Sequence, residues 1–277
     1  MYTINCKGEL LDLTMPRVMG IINLTPDSFY RGSRQTQLED AVRKAGEMLR
    51  EGATFLDLGA YSSRPNAADI PPEEELKRLL PALNAIMKEY PQALISVDTF
   101  RAGVARRAVE EGAAMVNDIS GGQLDAAMFE TIAELQVPYV MMHMRGTPQT
   151  MMNETHYGDI CGDLIRYFSK GLEQLRKLGV NDLVIDPGFG FAKYPAQSFE
   201  LLRRMDELSI LECPMLVGLS RKSMLYTTLG ISPEEALNAT SVVHAFALER
   251  NARILRVHDV KEAMETVKIF TTLQHNA

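Results

Sequence analysis

The sequence contains no tryptophan and only three cysteines among its 277 residues. The cysteines, Cys6, Cys161 and Cys213, are scattered and odd in number, which matches neither a disulfide framework nor the spacing of metal ligands. We therefore expect free thiols in a cytoplasmic protein. The amino terminus also lacks a basic segment followed by an apolar stretch, so we expect no secretory signal.

Long apolar runs and an excess of positive charge are absent as well. No run approaches the roughly 18 apolar residues that cross a bilayer, so we expect no membrane span. The net charge of −7 argues against broad binding to nucleic acid or an anionic membrane, and any phosphate site must be a local basic pocket. With 46% apolar residues, the chain suits one large α/β barrel, which commonly needs about 250 residues.

The chain repeats an apolar strand followed by an amphipathic helix. Residues 1–15 are predicted to form a hairpin that turns at Lys7 and Gly8 and closes one end of the fold. Residues 16–277 contain eight predicted strands, at 17–22, 54–58, 94–97, 114–116, 139–142, 183–185, 215–218 and 253–256. The predicted helices span residues 36–51, 72–89, 102–111, 126–135, 157–178, 198–208, 233–249 and 260–272.

This alternation predicts the fold class. Continuous apolar strands indicate a parallel sheet buried on both faces, and eight units of strand and helix favour a closed TIM (β/α)8 barrel over an open doubly wound sheet. No glycine-rich dinucleotide fingerprint follows the first strand. We therefore predict a single-domain barrel preceded by an N-terminal β-hairpin.

Polar residues follow the predicted strands, at the face where barrel enzymes build their sites. The stretch VIDPGFGFAK, residues 184–193, brings Asp186 to a strand end and continues into a glycine loop. Other polar residues at equivalent places are Asn23, Ser62, Ser63, Arg64, Asp98, Asn117, Asp118, His143, Ser220, Arg221, Lys222, Ser223, Arg256 and His258. We expect these cations and carboxylates to share one pocket.

These residue types suit a ligand with a nitrogen heterocycle at one end and a phosphate at the other. Carboxylates accept paired N–H bonds from an aminopyrimidine edge, so Asp98 and Asp186 are candidates for holding the ring, with Asn117 beside them. The candidates for neutralising the phosphate are Arg64, Arg256 and His258. The side-chain oxygen of Asn23 is a hard ligand for Mg²⁺, which phosphate oxygens would complete.

Some of these residues also have a purely structural explanation. Asp98 could cap the helix that follows it. We interpret His143, which lies between methionines, as a packed core residue, and Asp57, inside an apolar strand, as structural. Arg221 and Lys222 could form a solvated pair, but a GLSRKS turn directly after a buried strand favours a site.

The residues at the strand ends resemble those of the dihydropteroate synthase family, the pterin-binding barrel enzymes of folate synthesis. Eight motifs carry the resemblance, in family order: MGIINLTPDSF (19–29), SSRP (62–65), SVDT (96–99), VNDISG (116–121), MHMRGTP (142–148), DPGFGF (186–191), SRKS (220–223) and RVHD (256–259). Any one of them is weak evidence, but eight in sequence are highly specific.

The resemblance implies that 6-hydroxymethyl-7,8-dihydropterin diphosphate is joined to 4-aminobenzoate, with pyrophosphate released in the presence of Mg²⁺. The implied pterin contacts are Asp98, Asn117, Asp186 and Lys222, and the implied diphosphate and metal contacts are Asn23, Arg64, Arg256 and His258. The implied aminobenzoate contacts are Phe29, Pro65 and Phe191, with Ser63 and Ser223 near the carboxylate. Catalysis is assigned to Lys222, Asp98, Arg256 and Asn23, and a homodimer built on barrel helices is also implied.

Two loops depart from the family pattern. Residues 28–33 read SFYRGS where SFSDGG is usual, which removes an acidic residue and adds Tyr30 and Arg31. Residues 59–64 read GAYSSR where GGESTR is usual, so Tyr61 replaces a glutamate while Ser63 keeps a hydroxyl. We expect an intact pterin pocket and an altered closure of the loops around the aminobenzoate.

Three other functions remain open from the sequence. A pterin-binding methyltransferase would share the barrel and the pterin pocket, although Lys222, Arg256 and the first loop favour the synthase. An aldolase would use Lys222 as a Schiff-base nucleophile, which borohydride trapping with a carbonyl substrate would detect. A non-catalytic pterin-binding paralogue would bind pterin diphosphate without turnover.

Overall fold

The structure, a computed structural model, describes residues 2–24, 34–62 and 69–275. Four of the predicted site residues, Phe29, Ser63, Arg64 and Pro65, lie outside the described residues. The altered loop residues Tyr30 and Arg31 lie outside them as well.

A two-stranded antiparallel hairpin opens the chain, as predicted. Its strands are β1 (Thr3–Cys6) and β2 (Glu9–Asp12). The turn residues Lys7 and Gly8 have φ angles of 54° and 86°, the left-handed pair that a tight hairpin turn requires.

Eight parallel strands close into a barrel, which confirms the predicted fold class. The strands lie in chain order around the barrel, and the last pairs with the first. They are β3 (Arg17–Asn23), β4 (Phe55–Gly59), β5 (Leu94–Asp98), β6 (Met115–Asp118), β7 (Tyr139–Met142), β8 (Leu183–Asp186), β9 (Met215–Val217) and β10 (Ala252–Val257).

Helices cover the outside of the barrel. They are α1 (Arg34–Glu51), α2 (Pro72–Glu89), α3 (Ala102–Glu110), α4 (Met128–Leu135), α5 (Ile160–Lys177), α6 (Pro195–Arg204), α7 (Ser223–Leu229), α8 (Leu237–Glu249) and α9 (Val260–His275). Within the described residues, no helix is long and apolar enough to cross a membrane.

The helices after β8 and β9 differ from the prediction. The sequence pattern predicts one helix over residues 233–249, but α8 begins at Leu237 and the short helix α7 precedes it. Ser232 and Glu235 form a capping box that closes a separate 3-10 turn at Pro233–Glu235. The predicted helix over 198–208 is also shifted, because α6 starts at Pro195, a residue suited to a first helical turn.

Side-chain alternation along the strands separates two kinds of core. In β4, Leu56 and Leu58 face the helices, whereas Phe55 and Asp57 face the barrel interior, since successive residues of a strand point to opposite sides. The interior at the amino end of the barrel is apolar and is covered by the hairpin. Its buried members are Ile4, Cys6, Leu13, Met19, Phe55, Met115, Val140, Val184, Leu216 and Ile254.

Candidate active site

The polar site residues occupy the carboxyl ends of the barrel strands. Asn23, Asp98 and Asp186 are the last residues of β3, β5 and β8, and Asn117 and Arg256 lie one residue before the ends of β6 and β10. All five strands extend one or two residues beyond their predicted carboxyl ends. Cross-strand pairs such as Asp98 with Asn117 keep the residues inside the sheet.

A cavity of about 650 Å³ opens at this face of the barrel, a volume typical of a small-molecule site. Asp118 and His143, which were also expected in the pocket, do not line it. All of the predicted substrate, metal and catalytic residues that lie in the described ranges contribute to its wall. They are Asn23, Asp98, Asn117, Asp186, Phe191, Lys222, Ser223, Arg256 and His258. The prediction that groups from distant parts of the chain meet in one pocket is therefore confirmed for these nine.

A charge network forms part of the cavity wall. The guanidinium of Arg256 donates to Asp57 Oδ2 through Nε and to Asp98 Oδ2 through a terminal nitrogen, both at 2.6 Å. Asn117 Nδ2 donates to the same oxygen of Asp57 at 3.0 Å. Asp57, which the sequence analysis interpreted as structural, is thus a shared acceptor that orients two residues of the cavity wall.

The network contains two carboxylates and one cation. Burial raises the pKa of Asp98 to about 7, and Asp57 and Glu75 add to this effect while Arg256 opposes it. Burial disfavours the charge of Arg256 as well, but the pKa of its guanidinium is raised because Asp57 and Asp98 stabilise the cation. Asp98 therefore titrates near neutral pH beside a group that stays charged.

Asp186 lies at the bottom of the glycine loop that follows β8. It is 5% exposed, and its Oδ1 accepts a hydrogen bond from the Gly188 amide at 2.8 Å. Gly188 has a φ of 69°, and a Cβ at this position would lie 2.1 Å from the carbonyl oxygen of His143. Only glycine fits this contact, so the loop presses closely against the end of β7. Burial raises the pKa of Asp186, and the Gly188 amide and Lys222 oppose the shift.

Lys222 reaches the cavity from the turn after β9. Its Nζ lies 4.4 Å from the centre of the Phe191 ring, within the range of a cation–π contact. Burial and Arg256 lower the pKa of Lys222 to about 8, and Asp186 and Asp98 oppose this shift. The neighbouring carboxylates thus stabilise the protonated form of Lys222, which burial destabilises.

Arg221 is not half of a solvated pair, so that alternative is wrong. Its guanidinium makes two hydrogen bonds of 2.9 Å to the carboxylate of Asp259 and a third, of 3.1 Å, to the Pro233 carbonyl. The backbone of Arg221 is left-handed, with a φ of 52°, and its amide donates to Thr240 Oγ1. These contacts fix the turn that carries Lys222.

His143 and Lys193 form a buried pair behind the glycine loop. His143 is 1% exposed and packs edge-on against Tyr167, which confirms the interpretation of a packed core residue. Its Nδ1 lies 2.9 Å from Lys193 Nζ. Burial lowers the pKa of His143, and Lys193 adds to this effect, so the imidazole is neutral and accepts this hydrogen bond. Burial also lowers the pKa of Lys193, to about 7, and Asp186 opposes the shift.

Asn23, Ser223 and His258 line the mouth of the cavity. No group of three or more His, Cys, Asp or Glu side chains able to hold a metal ion occurs among the described residues. One neutral amide oxygen from Asn23 suits Mg²⁺ that arrives with phosphate, because this ion is often bound by few protein ligands and by substrate phosphates. The donor set therefore fits a metal held jointly with a ligand.

Tyr61, one of the departures from the family pattern, also lines the cavity. Its ring meets Phe100 edge-on with 5.0 Å between ring centres, and its hydroxyl accepts a hydrogen bond of 3.2 Å from Gln149 Nε2. Tyr61 thus joins the loops after β4, β5 and β7. At the position where the family usually has a glutamate, this chain therefore has an aromatic side chain that lines the cavity.

The supporting roles of Asp57, Lys193 and Arg221 were not predicted from the sequence. Asp57 lies within strand β4, Lys193 follows the DPGFGF motif and Arg221 lies inside the SRKS motif, and each contacts residues far away in the chain. For Asp57 the available signal was a charge within an apolar stretch, which must find a partner when it is buried. The identity of that partner depends on the closed barrel.

Comparisons with known proteins agree with this geometry. A family model described as pterin binding enzyme matches residues 19–258. The dihydropteroate synthase of Escherichia coli (strain K12) is 40% identical over 265 residues, which are 95% of this chain and 93% of that protein.

Two solved structures are similar over nearly the whole chain. Dihydropteroate synthase of Yersinia pestis with a sulfonamide drug complex has a TM-score of 0.92 at 37% identity, covering 99% of this chain and 100% of that one. Dihydropteroate synthase of Xanthomonas albilineans with 4-aminobenzoic acid has a TM-score of 0.91 at 37% identity, covering 98% of each chain.

Proposed function

The chain belongs to the dihydropteroate synthases of the pterin-binding enzyme family, and from this premise we propose how its residues perform the reaction. The enzyme joins 6-hydroxymethyl-7,8-dihydropterin diphosphate to 4-aminobenzoate and releases pyrophosphate. The observation that carries the residue assignment is the meeting of Asp98, Asn117, Asp186, Lys222 and Arg256 in one cavity.

The pterin ring is assigned to the deep end of the cavity. Asp186 offers carboxylate oxygens to the N–H groups of the aminopyrimidine edge, while Asn117 both donates and accepts at the neighbouring edge. Asn117 is 3% exposed and is already oriented by Asp57. The ring therefore meets fixed partners, which reduces the entropy lost on binding.

The diphosphate is assigned to the mouth. Arg256, His258 and Lys222 line the cavity and are assigned to the diphosphate, and Arg64 is assigned to the same group by the resemblance alone. The described residues give Arg256 two carboxylate partners, so the cation is held in place before the anion arrives. Asn23 would ligate Mg²⁺ together with the phosphate oxygens, and the metal would neutralise charge on the leaving group.

We propose a dissociative order of bond changes. The bond between the pterin methylene carbon and the diphosphate oxygen breaks first, and its electron pair leaves with pyrophosphate. The electron-rich dihydropterin stabilises the methylene cation, and the neutral aryl amine then attacks the carbon and loses a proton. Lys222 and Arg256 stabilise the departing charge, so no strong general base is needed.

The aminobenzoate is assigned to the outer wall of the cavity. Phe191 lies beside Lys222, and Ser223 lines the mouth next to it. The resemblance adds Phe29, Pro65 and Ser63, which lie outside the described residues. Tyr61 widens the aromatic part of this wall in place of an acidic side chain.

The direct test is a pyrophosphate-release assay with pterin diphosphate, 4-aminobenzoate and Mg²⁺, run on wild type and Lys222→Ala. We expect turnover in the wild type and a loss of about 100-fold or more in the variant, the size typical of removing one group that stabilises transition-state charge. Binding of pterin diphosphate without turnover in the wild type would instead support a non-catalytic paralogue. If pre-steady-state measurements show that pyrophosphate is released only after the amine has bound, the dissociative order is contradicted.

A homodimer in the cytoplasm completes the proposal. Exposed apolar side chains lie on the outer surfaces of α7, α8 and α9: Leu229, Val242, Phe246, Ile269 and Leu273. Such a surface is typical of a subunit interface. We expect sedimentation velocity to give a dimer for the wild type and a monomer for Phe246→Glu; a monomeric wild type would contradict the dimer. The three cysteines are buried free thiols, which supports the reducing compartment.

A further inference from the structure

One buried cation near the site has no part in the proposed mechanism. Lys193 is 2% exposed, contacts the glycine loop and also lines the cavity. Its Nζ contacts His143 Nδ1 at 2.9 Å, the Gly188 carbonyl at 3.0 Å and the Phe191 carbonyl at 3.0 Å. In its protonated form the amino group has three N–H donors, and these three acceptors satisfy all of them.

The loop that Lys193 holds has an unfavourable backbone conformation. Gly188, Gly190 and Ala192 have φ angles of 69°, 77° and 51°, all in the left-handed region. For Ala192 this region is strained, and such conformations persist only when surrounding contacts impose them. The two carbonyls bound by Lys193 lie near the two ends of this segment, so one side chain links them.

The loop in turn fixes two groups of the cavity. Gly188 accepts from Lys193 through its carbonyl and donates to Asp186 Oδ1 through its amide at 2.8 Å. Phe191 accepts from Lys193 through its carbonyl, and its ring lies 4.4 Å from Lys222 Nζ. Lys193 is therefore linked to the pterin-binding carboxylate of Asp186 through Gly188, and to the catalytic cation of Lys222 through Phe191.

We propose that Lys193 is a positioning residue for the pterin site, holding the Gly188–Phe191 loop so that Asp186 and the Phe191 ring keep their orientation. The proposal rests on the proposed function, since it deepens the assignment of Asp186. His143 contributes the third acceptor and keeps the ammonium in place. Lys193 itself contacts no substrate in this account.

The test is a double-mutant cycle in the full-length enzyme, read as the dissociation constant of pterin diphosphate by calorimetry. Lys193→Met keeps the length of the side chain and removes its donors. We expect a dissociation constant raised about tenfold or more, and a clearly smaller increment when Asp186→Asn is already present, because contacting groups couple. When Lys193→Met is combined with His258→Ala, a variant at the mouth, the factors by which the two substitutions raise the dissociation constant should multiply.

This design separates positioning from a general loss of stability. A merely structural role would lower the folded fraction and would combine with Asp186→Asn and His258→Ala in the same way. Lys177→Met is the matched control, because this lysine is 71% exposed and pairs only with Glu173 in the described structure. We expect the control to bind pterin diphosphate as the wild type does.

If Lys193→Met does not fold, His143→Leu takes its place, since it removes one acceptor and leaves the carbonyl contacts. We then expect a smaller rise of the dissociation constant, about threefold to tenfold. An unchanged dissociation constant in the variant that folds would overturn the proposal. So would an increase of the same factor in the Asp186→Asn and His258→Ala backgrounds. A wild type that binds no pterin diphosphate would instead refute the proposed function.

Discussion

The two ends of the barrel interior are built from the same strands but from opposite kinds of residue. A step of two residues along a strand is enough to pass from an apolar to a charged side chain. In β4 the interior residues are Phe55 and then Asp57, and in β8 they are Val184 and then Asp186. Because inward-facing positions recur every second residue, an apolar residue and a polar residue share the interior face of each of these two strands.

The difference shows how stability and function are divided. At the amino end, apolar side chains are buried beneath the hairpin, which is favourable without any partner. At the carboxyl end, charges are buried at a cost that ion pairs only partly offset, and Asp57 Oδ1 is buried without a partner among the described residues. We therefore expect substitutions at the two ends to affect different measurements.

The largest effect on stability is expected at the amino end. Phe55 is fully buried, so Phe55→Ala should lower the free energy of unfolding by about 3–5 kcal/mol, the usual cost of a large cavity. Chemical denaturation measures this change. The kcat/KM of the folded enzyme should stay within twofold of wild type, roughly the scatter of such contextual effects. A large loss of kcat/KM would show that the two ends are not independent.

At the carboxyl end, Lys222→Met should change activity and not stability. We expect kcat/KM to fall by about 100-fold to 1,000-fold, equivalent to about 3–4 kcal/mol of transition-state stabilisation. The lowered pKa of Lys222 means that the folded state disfavours its charge, so removing it should not reduce the free energy of unfolding. A variant that is both inactive and much less stable would contradict this division.

Titration should reveal the charges of the carboxyl end. The pKa of Asp98 is raised to about 7, so its carboxylate is lost as pH falls below that value, and the pKa of Lys222 is lowered to about 8, so its cation is lost as pH rises above it. We expect kcat/KM for pterin diphosphate to peak between these values and to fall about tenfold per pH unit on each side. Lys222→Arg should remove the alkaline limb.

The smallest effect is expected on the outer face of the hairpin. Leu10 is 76% exposed, so Leu10→Ala should change the free energy of unfolding by no more than about 0.5 kcal/mol and leave kcat/KM unchanged. It serves as the control for Phe55→Ala. A large loss of stability would mean that the hairpin contributes more than the buried contacts of its inner face.

The sequence predicted what depends on local pattern. The spacing of apolar residues placed α2 and β7 at their observed bounds, and the position of Asp186 after an apolar run placed it at the carboxyl end of a barrel strand, in the cavity wall. The break between α7 and α8 was missed, because it depends on a capping box at Ser232 rather than on periodicity.

What the sequence could not provide were the partners of buried charges. Asp57 and Arg256 lie 199 residues apart in the chain, and their contact exists only because the barrel closes. Lys193 was recognisable as a lysine at the end of a glycine loop, but its contact with His143 depends on how β7 and β8 pair. Such contacts have no local signature.

The most direct test of the central claim is a crystal structure of the enzyme with an inert methylene-bridged analogue of pterin diphosphate. The claim is that acids and cations from distant parts of the chain form one pocket for a ring and a diphosphate. We predict ring N–H groups within about 2.7–3.2 Å of Asp186 and of the Asn117 side chain, with the phosphorus atoms beside Arg256. A ring bound elsewhere, or phosphates at the deep end, would contradict the account.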